Sequence, residues 1–498
     1  MVETGFILVA GILVLGSLAL TLVTDRVRLP ALIVFIGVGM LIGSDGLNLV
    51  PFSDFELAQM IGIVALALII FEGGLSAGFG TIRPVLGPSL SLATVGTVLT
   101  ALITGLAAYL LLDLSLLEGF LLGSILASTD AAAVFSILRG STLRRRVTAT
   151  LEGEAGFNDP VAVVLVIGFI GLIQNPGDSA LEIVLLFVEA MGIGAVVGLV
   201  VGKAGLWLLE RANFQSAGLY PVASIAIAAV AFGAAQEIHG SGFLAVYLVG
   251  LLLAAPSDPA LRTIESFHGG LAWVAQVGMF LMLGLLVFPD DLPAVALEGL
   301  AIGLVVAFLA RPVAAWIATI GQGFAVADRL TIGWAGLRGA VPIVLATFPV
   351  VEGVAGGGEM FNIVFFAVVI SALFQGMTIS PVARWLGATT DESAIPTPLV
   401  PSATIHRLGA ETVEFPVRKG DAIVGKQVQD LHITKDALLT LVLRDDRAIL
   451  PRGDTDIQAG DLLELIVRQE GATDLRRQMR EWRGGESGRR RRKADGAA

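Results

Sequence analysis

The sequence predicts an all-α polytopic membrane protein of about 13 transmembrane helices, built as an inverted repeat with broken crossing helices and followed by a small C-terminal α+β cytoplasmic domain. Three observations carry this expectation. Of the 498 residues, 55 % are hydrophobic and only 15 % are charged. Apolar runs of about twenty residues, the length that crosses a bilayer as a helix, recur from Phe6 to about Trp385. The loops between them alternate in charge along the chain.

The runs fall at 6–24, 29–43, 57–76, 85–112, 116–138, 148–173, 182–210, 217–237, 241–255, 270–288, 293–320, 331–350 and 361–386. The first reads as a span rather than a signal peptide, because similar runs continue for almost the next 400 residues. Sixty glycines, about 12 % of the chain, suit helices that pack closely in a membrane. One set of alternate loops carries Arg26, Arg28, Arg83, Arg139, Arg144, Arg145, Arg146, Arg262 and Arg329. The intervening set is acidic, with Asp45, Asp54, Glu56, Asp113, Glu118, Asp178, Asp290, Asp291, Glu352 and Glu359. Cationic loops stay in the cytoplasm, so the N-terminus is expected outside and the C-terminus inside, as an odd number of spans requires.

Two six-helix units joined by a seventh helix would make spans n and n+7 run in opposite directions, an inverted repeat. The fifth and twelfth spans fit that scheme, since each holds a charge in mid-membrane: STDAAAV at 128–134 and GLRGAVPI at 336–343. Pro342 has no N–H for the Arg338 carbonyl, and Gly336 and Gly339 loosen the helix locally. Both segments are expected to be broken helices.

Residues 1–388 are therefore read as the membrane domain and 389–411, proline- and serine-bearing, as a linker. From 412 to 470 the chain alternates like a small soluble unit. VEFPV, ALLTLVL, RAIL and LLELIV read as strands and VGKQVQDL as a short helix. The tail 471–498 is basic and expected to be disordered. Its arginines could touch anionic membrane lipids, worth about 1 kcal/mol each close to the surface.

The chemistry gathers in GEAGFNDPVAVVLV, residues 153–166. Glu154 and Asn158 are four apart, so a helix presents Glu154, Asn158 and Asp159 within one sector of its surface. Pro160 cannot donate to the Gly156 carbonyl, which leaves a backbone oxygen free near Asp159. A carboxylate with a free carbonyl makes an oxygen cage for a dehydrated monovalent cation, and a proton competes for the same oxygens. If the protein reorients only when Asp159 is neutralised, by proton or by cation, one ion is exchanged for the other. Intramembrane acids are costly and usually face a functional interior. Glu154 is read as structural, paired with Arg311 in FLARPVAAW, whose charge must be balanced within the membrane.

Asp130, with Thr129, is expected to neutralise helix ends at the break of the fifth span or to supply a ligand oxygen. Arg338 is expected to face the negative end of a half-helix. Glu72 is read as snorkelling, and His239 and His268 as structural. The glycine-rich VAGGGEM at 354–360 is no P-loop, because no GK[ST] follows. The chain has no cysteine, which excludes disulfides, thiol nucleophiles and zinc-thiolate sites. No hydrolase triad or catalytic metal cluster is visible, so no enzyme, no resident cofactor and no nucleic-acid partner is expected. The net charge of -11 itself says little about partners.

GFNDPVA with a glutamate four residues before the asparagine, STDAA, ARP, GLRGAVP and FQGMTISPVARWLG together resemble the monovalent cation:proton antiporter-1 family, which includes the sodium/proton exchangers. The resemblance spans about residues 6–388 and implies a homodimer in which a mobile core moves against a dimerisation domain. It implies that Asp159 is the shared proton and cation carboxylate, Asn158 its partner, Thr129 and Asp130 part of an unwound crossing peptide, and Glu154 with Arg311 a stabilising pair. An Asn–Asp pair in this family goes with one-for-one electroneutral exchange. Some sodium-selective relatives carry serine after the glutamate, where this chain has Ala155.

The stretch from about 412 to 470 is similar to the TrkA-C domain of potassium-channel and potassium-transport subunits, through FPVRKGDAIVGKQVQDL and GDTDIQAGDLLELIV. On an antiporter of this kind it resembles potassium/proton exchangers of cell-volume control, and it leaves a small regulatory ligand open. Potassium/proton exchange is thus the first expectation, with sodium/proton exchange next. A ligand-gated cation channel would need a continuous pore, and a membrane sensor would leave the Asp159 cage without a task.

Overall fold

Among the described residues, helix follows helix in the first of two units, Met1–Thr390, and a four-stranded sheet organises the second, Asp391–Ala498. The computed structural model describes residues 11, 15–17, 31–130, 143–254, 259–389, 410–468 and 471–483, apart from positions 176, 178, 213, 215, 217, 419, 445 and 446. The first expected span and the end of the fifth lie largely outside the described residues, as do the linker up to 409 and the tail beyond 483.

The described helices are α1 (Ala31–Ile42), α2 (Phe55–Ile82), α3 (Leu86–Ser91), α4 (Thr97–Leu111), α5 (Leu116–Ile125), α6 (Arg145–Gln174), α7 (Ala180–Arg211), α8 (Leu219–Glu237), α9 (Gly242–Leu253) and α10 (Pro259–Leu285). They continue as α11 (Leu292–Val305), α12 (Arg311–Ala318), α13 (Val326–Trp334), α14 (Ala340–Val351) and α15 (Gly357–Leu386). Among the described residues seven helical runs are long and apolar enough to cross a membrane, and four shorter apolar helices accompany them. One of the seven, Phe55–Leu111, has 57 residues. At 1.5 Å per residue it would reach about 85 Å, far beyond one crossing. It is interrupted at Gly78, whose φ of 65° and ψ of 143° are not helical, so it holds the two runs expected at 57–76 and 85–112. The chain is an integral membrane protein, and the count of thirteen extends beyond the described residues.

Local sequence sets the helix ends. The Asp54 side chain accepts the Leu57 N–H at 2.9 Å, and Ser115 and Glu118 form a capping box at the start of α5. Helix α10 begins at Pro259, well before the run expected at 270–288, because Ile264 and His268 are already buried on its inner face. Glycine lets backbones touch: a side chain at Gly74 of α2 would strike the Tyr247 carbonyl and Gly250 of α9. Five-residue π-helical turns sit at Leu92–Gly96 and Val306–Ala310, in the fourth and eleventh runs, seven apart.

Both expected breaks are present. Helix α5 stops at Ile125 and residues 126–130 are not helical, while α13 stops at Trp334 and α14 begins only at Ala340. Pro342 does not cause the second break, since it lies in the first turn of α14, where its missing N–H has no helical partner to lose.

In the second unit the strands β1 (Ala410–Pro416), β2 (Ala437–Arg444), β3 (Arg447–Ile449) and β4 (Leu462–Arg468) form an antiparallel sheet in the order β1-β4-β2-β3. A bulge between Leu439 and Leu441 lets Leu439 and Val442, an odd interval apart, both enter the core. The segment VGKQVQDL forms only a short 3-10 turn, Val428–Leu431. The tail expected to be disordered from 471 instead forms helix α16 (Ala472–Arg483). Its Leu475 and Trp482 are buried with Phe415, Leu463 and Val467, and apolar burial of that size overcomes the charge of its arginines.

Candidate functional site

The two unwound segments meet and bond to each other. The Asp130 N–H donates to the Leu337 carbonyl at 3.0 Å, and an Asp130 carboxylate oxygen accepts the N–H of Ala340, the first residue of α14, at 3.1 Å. In the other direction one Arg338 nitrogen donates to the carbonyls of Ala127 at 3.2 Å and Ser128 at 2.7 Å, just past the end of α5. An anion thus meets the positive start of one half-helix and a cation meets the negative end of another. Both side chains are buried. Gly336 and Gly339 do more than loosen the chain: a side chain at Gly336 would collide with Arg311, and one at Gly339 with the Asp130 carboxylate.

Helix α6 passes this crossing with Glu154, Asn158 and Asp159 all buried. The Ser128 hydroxyl donates to Asp159 at 2.7 Å, and the Asn158 amide nitrogen donates to the Thr129 hydroxyl. Consecutive residues of the unwound segment therefore bind consecutive residues of α6. The Asn158 amide oxygen is buried and accepts no hydrogen bond among the described residues. A cavity of about 10 Å³, near the minimum for one water, is lined by Asp130, Asp159, Ala340 and Val341 together with Leu66 and Ile69 of α2 and Gln276 and Met279 of α10.

Glu154 faces Arg311 in a bidentate ion pair of 2.5 and 2.7 Å, with both side chains only 1 % exposed. A pair this deeply buried is expensive to break, because the surviving partner is left as an uncompensated charge. Neither residue lines the cavity, and neither do Thr129, Asn158, Gly156 or Arg338. At Gly156 a side chain would run into the ring of Tyr247, which also stacks edge-on against Phe157 at 4.9 Å. The absence of a side chain there serves helix packing.

Of the other residues singled out, Glu72 accepts the Ser76 hydroxyl at 2.6 Å. His268 bonds Ser224 at 2.8 Å between Phe71 and Phe267, and His239 lies with a φ of 61° in the turn after α8. Three residues of the site were not picked out by sequence reasoning. The Ser128 hydroxyl stood inside STDAAAV, Gln276 stood as a lone amide within the run 270–288, and Tyr247 stood in 241–255.

A carboxylate buried in a membrane-spanning bundle, at the crossing of two unwound helices whose ends are neutralised by each other's charged residue, defines a secondary cation transporter. The chain belongs to the sodium/hydrogen exchanger family: the profile of that name, described as sodium/hydrogen exchanger, transmembrane, matches residues 11–385, and the TrkA-C domain matches residues 412–480. It is 39 % identical over 472 residues to the K(+)/H(+) antiporter NhaP of Alkalimonas amylolytica, covering 94 % of this chain and 82 % of that protein. The K(+)/H(+) antiporter NhaP2 of Shewanella oneidensis is 36 % identical over the same shares of both chains. Among solved structures, the sodium proton antiporter MjNhaP1 of Methanocaldococcus jannaschii shares the fold, with a TM-score of 0.68 at 23 % identity over 78 % of this chain and 99 % of that one.

Proposed function

We propose that the chain exchanges potassium ions for protons across the membrane by alternating access, with Asp159 as the carboxylate that takes either ion. The observation that carries this reading is the placement of Asp159: its carboxylate borders a cavity next to Asp130, where a proton and a dehydrated cation would compete for the same oxygens. The Gln276 amide lines the same cavity and the Ser128 hydroxyl bonds Asp159, so these two would share in the cation's shell, while Asn158 and Thr129, bonded to each other, would hold the crossing in place beside it. Asp130 and Arg338 hold the two half-helices together, and the Glu154–Arg311 pair braces the core. No resident cofactor and no enzymatic step enters this scheme, because the transported K+ or Na+ and H+ are the only reactants.

Potassium is preferred to sodium for two reasons. Relatives that align over 94 % of this chain carry potassium in their names, and the position after Glu154 is Ala155. The loop charges support an external N-terminus and a cytoplasmic TrkA-C-like domain, which would take a small regulatory ligand. A homodimer follows from the family resemblance. The test is collapse of a pH gradient in everted membrane vesicles on adding potassium or sodium chloride, in the wild type and in Asp159→Asn. Collapse by potassium in the wild type alone supports the reading. Collapse by sodium alone reassigns the substrate, and activity in Asp159→Asn removes the carrier.

A further inference from the structure

Helix α15 carries FQGMTISPVARWLG, a segment given no task by the ion site. Its polar residues Ser371, Gln375 and Thr378 recur at intervals of four and three, so they form one stripe along the helix. Ser371 and Gln375 are buried at 3 % and 0 % exposure. A buried amide in an apolar span is costly unless all its groups are bonded.

The stripe bonds both ends of the second unwound segment. The Arg338 N–H donates to the Ser371 hydroxyl oxygen at 3.1 Å, and that hydroxyl donates to the Gln375 amide oxygen at 2.6 Å. The Gln375 amide nitrogen donates to the Trp334 carbonyl at 3.1 Å, an oxygen that the end of α13 leaves without a helical partner. One glutamine therefore clips residues 334 and 338 to a single helix face across the gap. Farther along, the Trp334 indole donates to Thr378 at 3.0 Å.

From Arg338 the bonded chain runs on to the ion carboxylate. Arg338 holds the carbonyls of Ala127 and Ser128, and the Ser128 hydroxyl holds Asp159. We infer that Gln375, acting through Ser371, is a positioning residue for cation binding. It fixes the backbone of Arg338 so that the guanidinium keeps the Ser128 segment, and with it the oxygens around Asp159, in the cation-binding arrangement. The inference rests on the reading of Asp159 as the ion carboxylate.

The experiment measures exchange in everted vesicles as a function of potassium concentration, per amount of protein in the membrane, for Gln375→Met, Ser371→Ala, their double variant, Ser371→Thr and Asp159→Asn. Gln375→Met and Ser371→Ala each remove two buried hydrogen bonds and are expected to raise the apparent KM for potassium by about tenfold or more, with far less change in the maximal rate. Ser371→Thr, which keeps the hydroxyl, restores the KM. The double variant is no worse than the worse single one, because both cut the same chain. An unchanged KM in both single variants overturns the inference, as do losses that multiply in the double. Failure of both variants to reach the membrane overturns it too, since the stripe would then serve folding alone. Exchange surviving in Asp159→Asn defeats the ion-site reading itself, whatever the α15 variants do.

Discussion

Asp130 and Arg338 each complete the backbone of the segment that carries the other. The carboxylate of Asp130 takes the first N–H of α14, two residues after Arg338, and the guanidinium of Arg338 takes the carbonyls of Ala127 and Ser128, just before Asp130. The two charges are partners through the main chain, which places them symmetrically about the crossing and leaves the Asp159 carboxylate beside it.

This reciprocity predicts coupling. Arg338→Ala leaves two buried carbonyls unbonded and is expected to abolish exchange and to cost about 2–6 kcal/mol of stability, at about 1–3 kcal/mol per orphaned group. Asp130→Ala is expected to do the same to the start of α14. In thermal unfolding of the purified protein the double variant should lose less than the sum of the singles, by about 1 kcal/mol or more. Strictly additive losses would show that the two breaks are independent.

The Glu154–Arg311 pair should behave as a brace. Glu154→Gln or Arg311→Ala strands one buried charge and is expected to cost about 3–5 kcal/mol, seen as lost folded protein and a lower Tm. The charge-swapped double variant, Glu154→Arg with Arg311→Glu, should recover part of that loss. Independent, additive losses with no recovery in the double count against a specific pair.

Ser128 donates directly to Asp159, the proposed ion carboxylate. Ser128→Ala removes a hydrogen bond to a charged group, worth about 1.5–3 kcal/mol, so the apparent cation KM should rise by about tenfold or more while the protein still folds. A KM equal to the wild type would exclude the hydroxyl from the ion site.

The second unit should be separable in function from the carrier. A chain ending near residue 400 is expected to keep basal exchange and to lose its response to pH or ligand, and complete loss of transport would make the domain part of the carrier. Ending the chain at 470 removes Leu475 and Trp482 from the domain core, at a cost of about 3–5 kcal/mol for the tryptophan alone. Limited proteolysis should therefore cut the domain in that variant and spare it in a chain ending at 483.

The membrane class and the two breaks were legible because they follow from strong local signals: long apolar runs, and a charge next to small residues in mid-span. Asp159, Asn158 and the Glu154–Arg311 pair were legible for a related reason, since a charge in an apolar run requires a partner. Ser128 and Gln375 were not, because a hydroxyl or an amide in a membrane helix is cheap enough to need no explanation until its neighbours are known. Gly156 was read through the backbone oxygen that Pro160 frees, whereas its side-chain position is filled by Tyr247, a contact 91 residues away in sequence that no local pattern encodes. The loop arginines read as topology signals also have structural tasks: Arg144 pairs with Asp328 at 2.8 Å, and Arg146 donates to the Gly323 carbonyl at 3.0 Å while stacking on Phe324. The α16 helix was missed because its charge outweighs its two anchoring apolar residues in composition, while burial decides the fold.

The four buried charges around Asp159 cancel, with Glu154 against Arg311 and Asp130 against Arg338. If Asp159 takes a proton or a monovalent cation, as proposed, the group then has no net charge. Moving an unbalanced elementary charge across 100 mV takes about 2.3 kcal/mol, whereas moving this group as one body takes no net electrical work. Turnover should then be blind to voltage: an imposed potential of either sign would leave the exchange rate unchanged, and only the two ion gradients would set its direction.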